Sequence, residues 1–113
     1  MVFAVESYPR NGHVVVAVRG DVDIATAAEL RNRISDAVEV HRAIVVDLGE
    51  VGFMDSTGLG VLVALHSRAV ALGGTFVIAR PQKIVRNALR LVQVDTVIDV
   101  FDSLDAAVAA AAS

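Results

Sequence analysis

The stretch that decides this fold is GFMDSTGLG, residues 52–60, where an apolar strand gives way to a helix. Before it, residues 43–48 (AIVVDL) form an apolar run that predicts a strand buried on both faces, as in parallel sheets. After it, residues 56–72 have helical spacing and stop at a glycine pair, Gly73-Gly74. A strand, a loop and a helix in this order predict an α/β unit with its loop at the sheet's carboxyl edge.

The N-terminal part of the chain predicts an antiparallel hairpin. Residues 2–8 and 13–19 have strand composition, and the segment between them contains Asn11-Gly12, which supplies the positive φ angles of a tight turn. In the second strand Val14, Val16 and Val18 share one face, while the other face is mixed. This pattern favours a hairpin that is covered mainly on one side.

A helical period follows the hairpin. Asp23 or Thr26 is placed to cap a helix over residues 24–40. Its predicted apolar stripe consists of Ile24, Ala27, Ala28, Leu30, Ile34, Ala37 and Val38.

The C-terminal part repeats the alternation. We predict strands at residues 75–79 and 96–101, a helix beginning near Pro81, and a final helix at residues 106–112. The helix after Pro81 has a predicted apolar face of Ile84, Val85, Ala88, Leu89, Leu91 and Val92. The chain is therefore expected to form a single α/β domain over residues 1–113, with a mixed sheet of about five strands and about four helices.

Composition excludes several classes of function. The net charge is −3 and the basic residues are scattered, so we expect no nucleic-acid partner. The chain lacks cysteine, an N-terminal signal pattern and an apolar run of about 20 residues, so we expect a cytoplasmic protein without membrane insertion. We also expect no cofactor and no metal, because His13, His41 and His66 share no ligand spacing.

Two interpretations apply to the hydroxyl of Ser56. In the first, Ser56 or Asp55 simply caps the helix. In the second, the hydroxyl is displayed for another molecule. Three consecutive capping residues where one suffices favour the second, and so do Gly58 and Gly60, each of which costs a helix about 1 kcal/mol against alanine. A phosphate on Ser56 would lie at the positive end of the helix dipole and add about −1.5 to −2 charge to an apolar surface.

Residues 53–62 (FMDSTGLGVL) resemble the phosphorylation-site motif of the anti-sigma factor antagonists, which are STAS-domain proteins. The resemblance extends to GDVD at residues 20–23, VVDL at residues 45–48 and the Gly73-Gly74 break, and so covers essentially the whole chain. It implies that a cognate anti-sigma factor, a serine kinase using ATP, phosphorylates Ser56. It also implies that the unphosphorylated form binds that kinase and frees its sigma factor. Thr57 stands where many members have a second serine, so both hydroxyls stay open as acceptors.

On this resemblance Ser56 is the phosphate acceptor and no residue is catalytic. The expected phosphorylation-loop and partner-binding residues are Asp21, Asp23, Asp55, Thr57, Gly58, Leu59 and Gly60. The expected partner is the anti-sigma factor serine kinase, and the chain itself is expected to be a monomer or weak homodimer. The alternative is a STAS accessory subunit that serves a membrane lipid transporter as a docking module.

Two other classes find less support. Asp21, Asp23 and Asp47 with Lys83 invite comparison with response-regulator receivers, but the chain opens with a hairpin and Lys83 follows a proline instead of preceding one. A catalytic serine needs a placed base and an esterase elbow, and Met54 stands where that elbow requires glycine. We therefore expect a protein that is not an enzyme.

Overall fold

The computed structural model describes residues 2–111, and it confirms the predicted fold class. The strands are β1 (Ala4–Arg10), β2 (His13–Arg19), β3 (Ala43–Glu50), β4 (Thr75–Ala79) and β5 (Val100–Phe101). The helices are α1 (Ala27–Val40), α2 (Ser56–Ala71), α3 (Lys83–Leu91) and α4 (Leu104–Ala111), and a 3₁₀ turn spans Val94–Thr96.

The five strands form one mixed sheet in chain order. β1 pairs antiparallel with β2, while β2, β3, β4 and β5 pair parallel with their neighbours. The hairpin turn uses the predicted dipeptide, since Asn11 and Gly12 have φ angles of 53° and 82°. Because β3 lies in the middle of the sheet, the loop after it emerges at the centre of the carboxyl edge.

Helices cover the sheet unequally. Alternate residues of the central strands, such as Val16, Val46 and Ile78, belong to one large core with α1, α2 and α3. The intervening residues, such as Val45 and Val77, pack in a smaller cluster against α4. β3 is therefore buried on both faces, as its unbroken apolar run predicts.

The prediction for α1 was wrong at its start. Ile24 is 82% exposed, and the helix begins at Ala27. The cause is a turn in which the Asp23 carboxylate accepts from Ala25 N at 2.9 Å. Thr26 occupies the N-cap position, but its hydroxyl donates to Asp21 O at 3.0 Å instead of capping the helix. Of the predicted stripe, Ala28 is also exposed, whereas the other five members are buried.

The C-terminal third differs from prediction in extent. In α3 Val85 and Leu89 are buried, whereas Ile84, Leu91 and Val92 remain exposed. Of the strand predicted at residues 96–101 only β5 is formed, since the 3₁₀ turn includes residue 96 and residues 97–99 form a turn and bend before the strand. The first strand begins at Ala4 instead of residue 2, α2 ends at Ala71, and α4 begins at Leu104. Residue 112 of the predicted last helix lies outside the described residues.

An ion pair between buried Asp47 and half-exposed Arg80 joins the carboxyl ends of β3 and β4. Asp47 is 4% exposed and accepts from Arg80 Nε at 2.8 Å and Nη2 at 3.1 Å. The backbone N–H of Gly49 donates to the same carboxylate at 2.9 Å. The carboxylate raises the pKa of Arg80 through this hydrogen bond and its charge. The pair fixes the path of the chain as it leaves β3 for the decisive loop.

A second constraint brings that loop against the chain that follows β2. Val22 forms an isolated parallel bridge with Met54, with Val22 N donating to Phe53 O at 2.8 Å and Asp55 N donating to Val22 O at 3.1 Å. Gly58 in α2 lies directly on this bridge. A Cβ at Gly58 would come within 2.5 Å of Val22 Cγ1, so α2 begins this close to the bridge only because Gly58 lacks a side chain.

Two bidentate arginine–carboxylate pairs, Arg80–Asp47 and Arg68–Glu39, provide a first test. We expect Arg80→Ala to lower the free energy of unfolding by about 2 kcal/mol, because buried Asp47 loses two of its three donors while water reaches part of the vacated space. The matched control is Arg68→Ala, which removes an equally bidentate pair with Glu39 on the surface. Its loss should be much smaller. Urea unfolding of both variants measures the difference, and equal losses would contradict the structural role of Asp47.

The glycines of α2 provide a second test. We expect Gly58→Ala to destabilise the fold by about 1–3 kcal/mol, because the new methyl group overlaps Val22 and Met54. Gly60→Ala should instead stabilise it by up to about 1 kcal/mol, because a Cβ there meets nothing within 4 Å and alanine favours helix. Thermal unfolding of the two variants measures these changes in stability. A Gly58→Ala variant as stable as the unmodified protein would contradict the tight packing of Gly58 on the bridge.

Candidate functional site

The site is the first turn of α2 with the loops beside it. Ser56 is the first residue of the helix and its side chain is exposed. It sits at the carboxyl edge of the central strand, where open α/β sheets place their functional loops. The hydroxyl of Ser56 is therefore exposed to solvent between helix α2 and the hydrogen-bonded loop that precedes it.

Asp55 is the cap of this helix. Its Oδ1 accepts from Thr57 N at 3.0 Å and from Gly58 N at 3.4 Å, and it also accepts from the Thr57 hydroxyl. The Thr57 hydroxyl is the main cause of a lowered pKa at Asp55; burial opposes the shift, and the backbone N–H groups add to it. The capping function thus belongs to Asp55 and leaves the hydroxyl of Ser56 free for other contacts.

The second predicted loop lies beside the first. The Val22 bridge holds residues 21–24 against residues 53–55, and a Cβ at Gly52 would lie 3.4 Å from Asp21 Oδ1. Asp21 is exposed and Asp23 is partly buried, since its carboxylate holds the turn before α1. The structure therefore brings both predicted aspartates to the same edge as Ser56.

The remaining predicted residues have different surroundings. Gly58 and Leu59 are buried, and the space beside Gly58 is filled by the protein's own Val22 and Met54. Gly60 is exposed, with open space where a Cβ would stand. Both glycines were expected to favour display of the Ser56 hydroxyl to another molecule. The open space at Gly60 is consistent with that expectation, whereas Gly58 is required by the protein's own packing.

Two exposed apolar side chains lie in the loops that border Ser56, and the sequence pattern indicated exposure for neither. Ile24 was placed in the core but is 82% exposed, and Phe53 is 44% exposed in the loop before the helix. A usable signal was present, because each is a large apolar residue inside a loop rich in glycine and aspartate. The edge around Ser56 is therefore a mixed surface of apolar and acidic side chains.

The structure gives no support to the receiver comparison. Asp47 is buried and its carboxylate is taken up by Arg80, and Lys83 is exposed on α3. Within residues 2–111 there is no cluster of His, Asp or Glu able to hold a metal ion. In the same range no helix has the length and apolar character that crossing a membrane requires. His66 packs edge-on against Phe76, with ring centroids 5.9 Å apart.

Sequence comparison finds relatives among the anti-sigma factor antagonists. The anti-sigma-F factor antagonist RsfB of Mycobacterium tuberculosis strain H37Rv is 30% identical over 95 residues, which are 83% of this chain and 77% of the relative. An anti-sigma-B factor antagonist of Bacillus subtilis is 27% identical over 89 residues, 79% of each chain.

A solved structure and a family model extend the comparison to nearly the whole chain. The crystal structure of an anti-sigma factor antagonist from Mycobacterium paratuberculosis superposes with a TM-score of 0.92 at 26% identity, over 99% of this chain and 96% of that one. The model of the STAS domain matches residues 4–107. The predicted resemblance is confirmed, and the protein belongs to the STAS domain family.

Proposed function

We propose that this protein is an anti-sigma factor antagonist. Its unphosphorylated form binds an anti-sigma factor, a serine kinase, and so frees a sigma factor, and phosphate on Ser56 abolishes that contact. The observation that carries the proposal is the display of Ser56 at the start of α2 beside exposed Ile24 and Phe53. The antagonist names of the sequence relatives and of the superposed crystal structure support the same function.

The hydrogen bonds around the cap favour Ser56 over Thr57 as the phosphate acceptor. The Thr57 hydroxyl donates to Asp55, so modification of Thr57 would remove a donor from the capping carboxylate. Ser56 is exposed, and its modification leaves the Asp55 cap in place. A kinase therefore reaches Ser56 with less disturbance of the helix start.

The cap also determines where the phosphate charge goes. Asp55 already occupies the N–H groups of Thr57 and Gly58, so these are not free to receive a phosphate on Ser56. The added charge of about −1.5 to −2 stays on the surface, next to a carboxylate and beside apolar side chains. A partner that covers Ile24 and Phe53 would have to bury this charge or move away, which weakens binding without a change of fold.

The alternative of a docking subunit for a membrane lipid transporter uses the same edge without a switch. It has weaker support, because the antagonist relatives match on sequence over most of their length. A constitutive docking module would also have no need of an uncapped, exposed hydroxyl next to the Asp55 cap.

The central prediction concerns Ser56. Incubation with the cognate anti-sigma factor and ATP should place phosphate on Ser56, detected by mass spectrometry of peptides. Phosphorylation should weaken binding to the anti-sigma factor by about a hundredfold or more, a loss of about 3 kcal/mol, measured by calorimetry.

Two variants provide the controls. Ser56→Ala should bind the anti-sigma factor but accept no phosphate, whereas Thr57→Val should still be phosphorylated. Phosphate at Thr57, or tight binding by Ser56→Asp, contradicts the proposed switch. Failure of the unmodified protein to bind any anti-sigma factor contradicts the function as a whole.

A further prediction concerns the titration of Asp55. Its pKa lies below the ordinary 3.8 in the unmodified chain, and a phosphate on Ser56 should raise it, because the two negative groups repel. A group with a lowered folded-state pKa contributes stability above its unfolded pKa and loses that contribution as pH falls through the folded value. Phosphorylation should therefore reduce the contribution of Asp55.

Carboxyl NMR titration of both forms measures this shift. Glu39 is the internal control, because Arg68 lowers its pKa at the far end of α2 and the phosphate should leave it unchanged. An unchanged Asp55 would mean that the phosphate points away from the cap.

A further inference from the structure

The outer face of α3 carries a patch of apolar and basic side chains around Asn87. Residues three and four apart are neighbours on a helix, so Asn87 lies among Lys83, Ile84, Arg90 and Leu91. All five are exposed, Ile84 to 57% and Leu91 to 83%. We call these five residues the α3 patch. It is an apolar surface with basic side chains at its edge, on a helix that packs into the core by its other side.

The α3 patch has a net positive charge. α3 contains no acidic residue, and in the described part of the chain neither Lys83 nor Arg90 lies within salt-bridge distance of a carboxylate. Arg86 lies next to both on the helix, but it pairs with Asp102, so these two charges compensate each other. The patch therefore offers two uncompensated positive charges beside two aliphatic side chains.

The loops that border Ser56 form a surface of the opposite charge. These loops are residues 21–24 and 53–55, which a backbone bridge holds together, and we call them the acidic edge. They expose two large apolar side chains, Ile24 and Phe53.

The charged residues of the acidic edge are all carboxylates, namely Asp21, Asp23 and Asp55. Within residues 2–111 no Lys, Arg or His side chain lies within salt-bridge distance of any of them. The hydrogen bonds of Asp23 and Asp55 use one oxygen of each carboxylate, Oδ1. The acidic edge thus offers three uncompensated negative charges beside two apolar side chains, which complements the α3 patch in both respects.

We propose that the α3 patch of one copy of this chain docks on the acidic edge of a second copy. The two basic side chains of the patch face the carboxylates of the edge, and the aliphatic side chains of the patch cover the apolar side chains of the edge. Contact between two α3 patches is disfavoured, because that symmetric arrangement sets like charges against each other. The contact is therefore heterologous, and copies add head to tail.

Docking of this kind covers the loops beside Ser56. On the proposed function the anti-sigma factor needs the same loops, so a second copy competes with it for one surface. The α3 patch belongs to a single helix of 9 residues, so the contact is small, and small interfaces are weak. The second copy therefore yields to a partner that buries a larger surface. The self-contact itself does not depend on the proposed function.

Sedimentation of the unmodified protein tests whether copies associate. At about 0.5 mM protein and low salt the average mass should exceed that of the monomer and keep rising with concentration, because every added copy exposes a new edge or patch. Added salt should lower the average mass, because it screens the charges. An average mass that stays at the 11.9 kDa of one chain overturns the proposal and leaves the proposed function standing.

Charge reversal tests the two surfaces. Lys83→Glu/Arg90→Glu should weaken association by about tenfold or more, and Asp21→Lys should weaken it from the opposite surface. The matched control is Arg31→Glu/Arg33→Glu, which changes the net charge equally at exposed residues of α1 and should leave association unchanged. Equal effects of the two double variants would assign association to net charge and overturn the patch. Circular dichroism checks that each variant keeps the fold.

The apolar part and the arrangement of the copies are tested separately. Leu91→Ser should weaken association, whereas Leu72→Ser, at an exposed position after α2, should not. Amide NMR shifts that depend on protein concentration should appear both in α3 and in residues 21–24. Shifts in α3 alone would mean a symmetric pair of patches and would overturn the heterologous contact.

Discussion

The site depends on one short piece of backbone pairing, the bridge between Val22 and Met54. Two loops that leave different strands of a sheet have no general reason to stay together, and exposed loops are usually the most mobile parts of a domain. Here two backbone hydrogen bonds join them, with Val22 fully buried beneath. Because Gly58 packs on the same bridge, the start of α2 takes its position from it as well. A shift of this pairing would displace both loops and the helix that carries Ser56.

That constraint explains why one residue, Asp55, can cap α2 while its neighbour, Ser56, stays exposed. The N–H groups of the first turn need an acceptor, and Asp55 supplies it from a position fixed by its own N–H bond to Val22 O. Ser56 follows at a position where its side chain is not required for the fold. Asp55 alone satisfies the helix start, so the adjacent hydroxyl of Ser56 is free for other contacts.

The sequence predicted those parts of the fold that follow from local chemistry. Asn11-Gly12 determined the hairpin, the unbroken run of β3 indicated burial on both faces, and Gly73-Gly74 ended α2 within one residue. Helical periodicity predicted burial wrongly for apolar residues that no other element covers. Ile24 and Leu91 fit helical stripes, but a period records direction around a helix and does not tell whether another element covers that direction. The cap, the two loops and the position of Ser56 follow from local sequence, whereas an apolar groove between the start of α2 and the end of α3 depends on tertiary packing.

The same failures carry functional information. In the core an apolar residue is stabilised by burial, so an apolar stripe that the fold leaves exposed needs another explanation than packing. Ile24 and Phe53 in the loops next to Ser56, and Val92 at the end of α3, are exposed and do not belong to the core clusters. Within one turn of α2, Gly58 is required by the internal packing, whereas Gly60 faces open space on the outer surface. On the proposed function, a phosphate on Ser56 would change the charge of this surface while leaving the packing beneath it unchanged.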